Sequence, residues 1–223
     1  MNFLLVWDVD GTLVDSKGVG KKSMNKAFFE LYGIKNALDK IDMSGRLDYT
    51  IIKNVLFENK IDIKNCNRFF EKYCDFLKTE LANVSSIACP GIVSNMKEIS
   101  CKRNIFHALG TGNIELGARL KLSVDKLNRY FPIGGFGNEE YERWEIINHA
   151  IEKSVLFYDI DFKKENIFVI GDTNKDIFSG KKIGVKTIGV ASGNTSFFEL
   201  EQLKPDYLFE NLLSCEKFIE IFS

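Results

Sequence analysis

From residue 104 onward, short apolar runs alternate with stretches whose apolar residues recur every three or four positions. "NIFHALGTG", "YFPIGGFG", "NIFVIGDT", "VKTIGVAS" and "DYLFEN" have the length and bounding glycines of strands. Between them, "IELGARLKLSVDKL", "YERWEIINHAIEKSVLFY" and "NKDIFSGKKIG" have helical spacing, and a further helix follows the last strand. Strand–helix alternation at these lengths predicts an α/β fold built on a parallel sheet with helices on both faces. The opening run "FLLVWD" supplies one more buried strand. From Ser23 to about Leu81 the rhythm is helical throughout, broken at "YGIKN" and "MSGRLD". That block carries no strand pattern and reads as a helical insert in the alternating core.

In a parallel sheet the carboxyl ends of the strands lie along one edge, and ligands bind there. Three strands of this chain end on polar residues that suit a ligand. The first runs into "DVDGT", with Asp8 and Asp10; the second ends "LGTGN", with Thr111; a later one ends "VIGDTNKD", with Asp172 and Asp176. Singly, each has a bland explanation: Asp-Gly makes turns, and Asp172 or Thr173 could cap a helix. Together they predict four acids in one crevice, which repel unless a cation shares the space. An oxygen-only donor set of this kind suits Mg²⁺.

Lys plus Arg number 30 against 31 Asp plus Glu, a net charge of -1, so no general pull toward nucleic acid or an anionic membrane is expected. No apolar stretch approaches the roughly 20 residues of a membrane span. The five cysteines form no CxxC pair, and only His107 and His149 could join them on zinc. Reduced, mostly buried thiols in a cytoplasmic protein are the expectation.

"DVDGTLVDS", "GTGN" and "GDTNKD" resemble the motifs of the haloacid dehalogenase-like hydrolase superfamily. "PGI" together with "TGNIELGARLKL…YFPIGGFG" resembles its phosphoglycolate-phosphatase-like branch. The resemblance implies a Rossmann-like core, residues 1–15 and 86–223, with an α-helical cap at 16–85. It implies a Mg²⁺-dependent phosphatase of small phosphorylated metabolites, working through an aspartyl-phosphate. Asp8 would be the nucleophile and Asp10 the general acid and then base. Asp8, the Asp10 carbonyl and Asp172 would hold the ion, with Asp176 close by or ligating through water. Thr111 and the N–H groups around Gly112 and Asn113 would hold phosphate oxygens. Asp10 argues for phosphoryl transfer over carbon–halogen cleavage, because related dehalogenases lack that second acid. A β-phosphoglucomutase-like phosphomutase would use the same aspartates, and a catalytically silent binding module could keep the same fold. The oligomer is left between monomer and homodimer.

The chain departs from the family pattern at its lysine, which usually precedes the last motif in a "KP" context. The corresponding interval, "FGNEEYERWEII", offers Arg143, whose structural alternative is a surface pair with Glu139 or Glu140. Lys121 in "ARLKL" is the rival cation, with a solvated helix face as its plainer reading. In the helical block, "SGRLD" resembles the substrate-specificity loop of related caps, so Arg46 could meet a distal anionic group; a plain helix–helix turn is the alternative. His107, His149 and the aromatic cluster Phe69, Phe70, Tyr73 and Phe76 are expected to be structural.

Overall fold

The computed structural model describes every residue except Ile63, Asn65, Glu140 and Ser223. Six parallel strands form one sheet in the order β3-β2-β1-β4-β5-β6. They are β1 (Phe3–Trp7), β2 (Ile105–Thr111), β3 (Gly134–Phe136), β4 (Ile167–Gly171), β5 (Lys186–Val190) and β6 (Tyr207–Phe209). Both faces are covered, which is why the central strands read as continuous apolar runs. Along β1, Phe3, Leu5 and Trp7 enter one core, and Leu4 and Val6 enter the other.

Nine helices occur among the described residues: α1 (Val19–Tyr32), α2 (Asp48–Glu58), α3 (Cys66–Leu81), α4 (Ile92–Ile99), α5 (Glu115–Val124), α6 (Arg143–Tyr158), α7 (Asn174–Ile183), α8 (Phe197–Gln202) and α9 (Cys215–Ile219). Ile147 and Ala150 of α6 pack on the Leu4/Val6 face, whereas α4, α5 and α9 contribute Met96, Leu122 and Phe218 to the other. None of the described helices is long and apolar enough to cross a membrane.

α1, α2 and α3 occupy the helical block expected between β1 and the rest of the sheet. α3 buries Cys66, Phe69, Tyr73, Cys74, Leu77 and Leu81, a stripe at helical spacing. Its Phe69 ring sits 4.4 Å from that of Phe28 on α1. The break between α1 and α2 is wider than the sequence suggested. Gly33, at φ 69°, ends α1 by donating its N–H to the carbonyls of Phe28 and Phe29, and regular helix resumes only at Asp48.

The helical block joins the sheet through two paired connections. Asp15 N–H donates to Ile87 O (2.7 Å) and Cys89 N–H to Leu13 O (3.0 Å), so the outgoing and returning chains form a short antiparallel neck. Asp125, just past α5, accepts the N–H groups of Ile87 and Ala88 at 2.9 Å each. The helix ends three residues short of the expected Leu127, with Lys126 in the left-handed region at φ 58°.

Candidate active site

The register puts Trp7 level with Leu109 of β2 and Ile170 of β4, so Asp8, Thr111 and Asp172 emerge along one edge. β1 and β4 are also where the strand order reverses direction, which opens a crevice above them. Asp8, Asp10, Thr111, Gly112, Asn113, Arg46, Lys121, Arg143 and Asp172 all line one cavity of about 670 Å³. Its far wall is the helical block.

Asp8 is 6% exposed, and Arg143 Nη2 donates to its Oδ1 at 2.6 Å. The same guanidinium donates to Asp176 Oδ1 from Nη2 (2.6 Å) and Nε (3.1 Å). Arg143 is the first residue of α6, so its side chain reaches back over the strand ends. It pairs with the two aspartates and not with Glu139; Glu140 lies outside the described residues. Asp176 is fully buried behind Arg143, off the cavity wall. Its Oδ2 accepts Thr173 Oγ1 (2.6 Å) and the Thr173 N–H (3.2 Å) as the capping box of α7.

Asp10 is the more accessible acid, its side chain 41% exposed. Lys121 Nζ donates to its Oδ2 at 2.5 Å and to Asn113 Oδ1 at 2.6 Å. This corrects the solvated-face reading of Lys121: the residue is 4% exposed and points into the site from α5. Asn113 Nδ2 bridges Asp10 Oδ2 (2.8 Å) and Thr111 Oγ1 (3.0 Å). Thr111 Oγ1 therefore accepts from Asn113 and keeps its own proton for another acceptor. The α5 start is less open to phosphate than its position suggested. Ile114 N–H donates to Asp48 Oδ2 (3.0 Å) and Glu115 N–H to Asn138 Oδ1 (2.9 Å), leaving the loop before it.

The donor set fits a hard divalent cation. Asp8, Asp172 and Asp176 each offer an oxygen, all within 4.8 Å of one another. Burial, followed by the net effect of Arg143 lowering and Asp176 raising, lifts the Asp8 carboxyl to about 6. Burial and then the charges of Asp8 and Asp176 lift Asp172 to about 8. These acids thus call for a proton or a cation between them. The site is shaped for it: Gly11, at φ 84°, passes so close to Asp172 that any Cβ would strike its carboxylate.

Three residues of the wall were not assigned to the site from the sequence. Asp48, 6% exposed, comes from the helical block, and its N–H also donates to Gly112 O at 2.8 Å. Tyr73, expected to be cap core, is buried but also lines the cavity. Ser192 Oγ donates to Gly11 O at 2.7 Å and brings Gly193 against Asp172. The "SGRLD" string contains the first of these, although the reading rested on its arginine; Tyr73 could not be told from core, because its oxygen is buried along with its ring.

A profile of haloacid dehalogenase-like hydrolases matches residues 5–190, taking in Asp8, Asp10, Thr111, Arg143, Asp172 and Asp176. The chain belongs to that family. It is a hydrolase of the phosphoric ester kind. Among its relatives is pyrophosphatase PpaX of Oceanobacillus iheyensis, 22% identical over 209 residues, 93% of this chain and 92% of that one. Pyrophosphatase PpaX of Bacillus mycoides is 25% identical over 213 residues, again 93% and 92%. In solved structures the fold recurs in a hydrolase from Pseudomonas syringae, with TM-score 0.73 and 20% identity over all of both chains. It recurs also in β-phosphoglucomutase from Clostridium difficile, with TM-score 0.73 and 16% identity over 99% of this chain and 96% of the other.

Proposed function

We propose that this chain is a Mg²⁺-dependent phosphatase of small phosphorylated metabolites in which Asp8 forms an aspartyl-phosphate and residues 16–85 act as a cap. The observation that carries the reading is the division of labour between two carboxylates one residue apart. Asp8 is buried and held by the Arg143 guanidinium; Asp10 is half-open to the cavity and held by Lys121 and Asn113.

An Asp8 oxygen attacks phosphorus while the bond to the leaving oxygen breaks, and Asp10 delivers a proton to that oxygen. In the second step Asp10 takes a proton from water as the water oxygen attacks phosphorus, releasing phosphate and restoring Asp8. Arg143 and Thr111 hold the phosphoryl oxygens, and the guanidinium offsets charge that builds up beside Asp8. Gly112 and Asn113 bring the phosphate-binding loop against them, and Arg46 of the cap faces the cavity from the substrate's distal side. Asp8, the Asp10 carbonyl and Asp172, with Asp176 behind them, would hold Mg²⁺, which would offset the carboxylate–phosphate repulsion. The reading includes a cytoplasmic setting, in keeping with five cysteines that are free thiols.

A phosphate-release screen with Mg²⁺ over sugar phosphates, phosphoglycolate, nucleotides and pyrophosphate tests it. Turnover of at least one, abolished in Asp8→Asn with loss of phospho-enzyme, is the expected result. No turnover from well-folded protein would leave a binding module. Isomerisation of a sugar phosphate without phosphate release would make it a mutase.

A further inference from the structure

Tyr73, on α3, has no part in the chemistry above, yet it is completely buried, and among the described residues its Oη has no hydrogen-bond partner. A buried hydroxyl left without a partner is costly, so such groups call for an explanation. Tyr73 lines the same cavity as Asp8, Asp10 and Lys121.

Gly20 leaves space beside it, and Gly117 lets its ring pack closely against α5. A Cβ on Gly20 would lie 3.7 Å from Tyr73 Oη and 3.5 Å from Lys121 Nζ, and a Cβ on Gly117 would lie 3.4 Å from the same Oη. So α1, α3 and α5 meet at a corner where a phenol and an ammonium flank one gap. Lys121 spends two of its three N–H groups on Asp10 and Asn113 and has a third to offer. Burial, then the nearby charges of Asp48 and Asp10, hold the phenol well above its usual pKa, so it stays a donor. A donor pair of this kind is matched by an acceptor oxygen on a ligand. Its place follows from Asp10. The gap lies on the cap side of the acid that protonates the leaving oxygen, beyond the phosphoryl group held at Asp8.

We propose that Tyr73 is a specificity-determining residue, its Oη–H and the free N–H of Lys121 together holding an acceptor oxygen, phosphoryl or carboxylate, on the leaving portion of the substrate. This assignment rests on the phosphatase reading for the direction in which the substrate lies. It deepens that reading, because a site built to hydrogen-bond an oxygen discriminates strongly against analogues that lack it.

The test is calorimetric binding, in the presence of Mg²⁺, of three non-hydrolysable phosphonates to the wild type and to Tyr73→Phe. Methylenediphosphonate carries a second phosphoryl oxygen, phosphonoacetate a carboxylate, and phenylphosphonate no acceptor beyond the first group. Tyr73→Phe is expected to weaken methylenediphosphonate or phosphonoacetate by about tenfold, the scale of one lost hydrogen bond, and phenylphosphonate by less than about twofold. Which of the first two responds separates phosphoryl from carboxylate. Gly20→Ala, which fills the gap and leaves Tyr73 intact, is expected to give the same selective loss, and it decides the matter if Tyr73→Phe folds poorly. Equal weakening of all three phosphonates, no weakening, or no binding by the wild type overturns the assignment. Turnover is scored separately. Selective binding without hydrolysis of any ester would remove the phosphatase reading and leave the Tyr73 site standing, whereas hydrolysis without selectivity would do the reverse.

Discussion

Arg143 joins two buried aspartates, and its planar fork explains how. Its Nη2 donates to Asp8 and Asp176 at once while Nε adds a second bond to Asp176, a fork that differs in shape from a compact ammonium. Arg143→Ala should lower kcat/KM by about 10³ or more, because phosphate contacts and charge compensation vanish together. It should also destabilise the fold by up to about 3 kcal/mol in urea unfolding, since two buried carboxylates lose their partner. Arg143→Lys should recover only part of both. A near-normal kcat/KM for Arg143→Ala would show that the cation that matters is Lys121. His107 makes a quieter case. Burial lowers its pKa to about 4, and Trp7 Nε1 donates to its Nδ1 at 3.2 Å, which holds the imidazole neutral with its proton on Nε2. With only two histidines in the chain, an NMR titration is decisive. The His107 ring signals should stay fixed between about pH 7.5 and 5.5, where an ordinary histidine moves. A midpoint near 6.5 would contradict the burial argument.

The helical block meets the loops after β2 and β3 through a short segment at the start of α2, besides the faces of α1 and α3 that line the cavity. Asp48, at the start of α2, donates its N–H to Gly112 O, and Tyr49 N–H reaches Gly137 O at 3.3 Å. The cap loop is thereby laid on the loops that follow β2 and β3. Gly112 has no side chain because the carbonyl of Arg46 occupies the place of its Cβ. Gly112→Ala should therefore push the 46–48 segment outward, costing about 1–3 kcal/mol of stability and at least tenfold in kcat/KM. Limited proteolysis should find the stretch between α1 and α2 cut faster in the variant. Unchanged cleavage and activity would mean that this loop does not press on the site. At the other end, Asp125 ties the returning neck segment to α5, so that segment and the helix bearing Lys121 are one connected unit.

Across the whole molecule, charge is nearly balanced, but it is not evenly spread, and the acids at the strand ends link site occupancy to folding. Asp172 has an ordinary value of 3.8 and a folded value of about 8. In the metal-free protein the folded state then binds more protons than the unfolded chain. Its contribution is full below about pH 4 and is lost as pH rises through 8. In the presence of a chelator, stability should fall by about 1–2 kcal/mol between pH 6.5 and 8.5. Mg²⁺ should reverse that fall, because it takes the place of the proton, and Asp172→Asn should flatten the metal-free profile and weaken Mg²⁺ binding. Thermal unfolding scans with EDTA and with Mg²⁺ check this. A metal-free Tm that rises over that range, with no response to Mg²⁺, would contradict the cation assignment. Full activity after chelation would also contradict it.

Much of the architecture was legible because it rests on local rules. Periodicity marked the strands and the helical block, and parallel pairing then required Asp8, Thr111 and Asp172 to share an edge. Arg143 could be named because it opens a helix in the right interval. Lys121 could be named only as a rival: a lysine in "ARLKL" reads as solvent-facing, and only the packing of α5 against the helical block turns it onto Asp10. Asp48 and Tyr73 were hidden for the same reason. Their roles depend on which face of the helical block meets the sheet, and hydrophobic spacing does not encode that. The breadth of the break between α1 and α2 likewise depends on partners far away in the chain. The sequence by itself determined the layers, the strand edge and the carboxylates on it, since those follow from backbone pairing and side-chain period. Only the tertiary structure brought Arg143 onto Asp8 and Asp176 and Lys121 onto Asp10, because long side chains take their direction from the surfaces they are packed between.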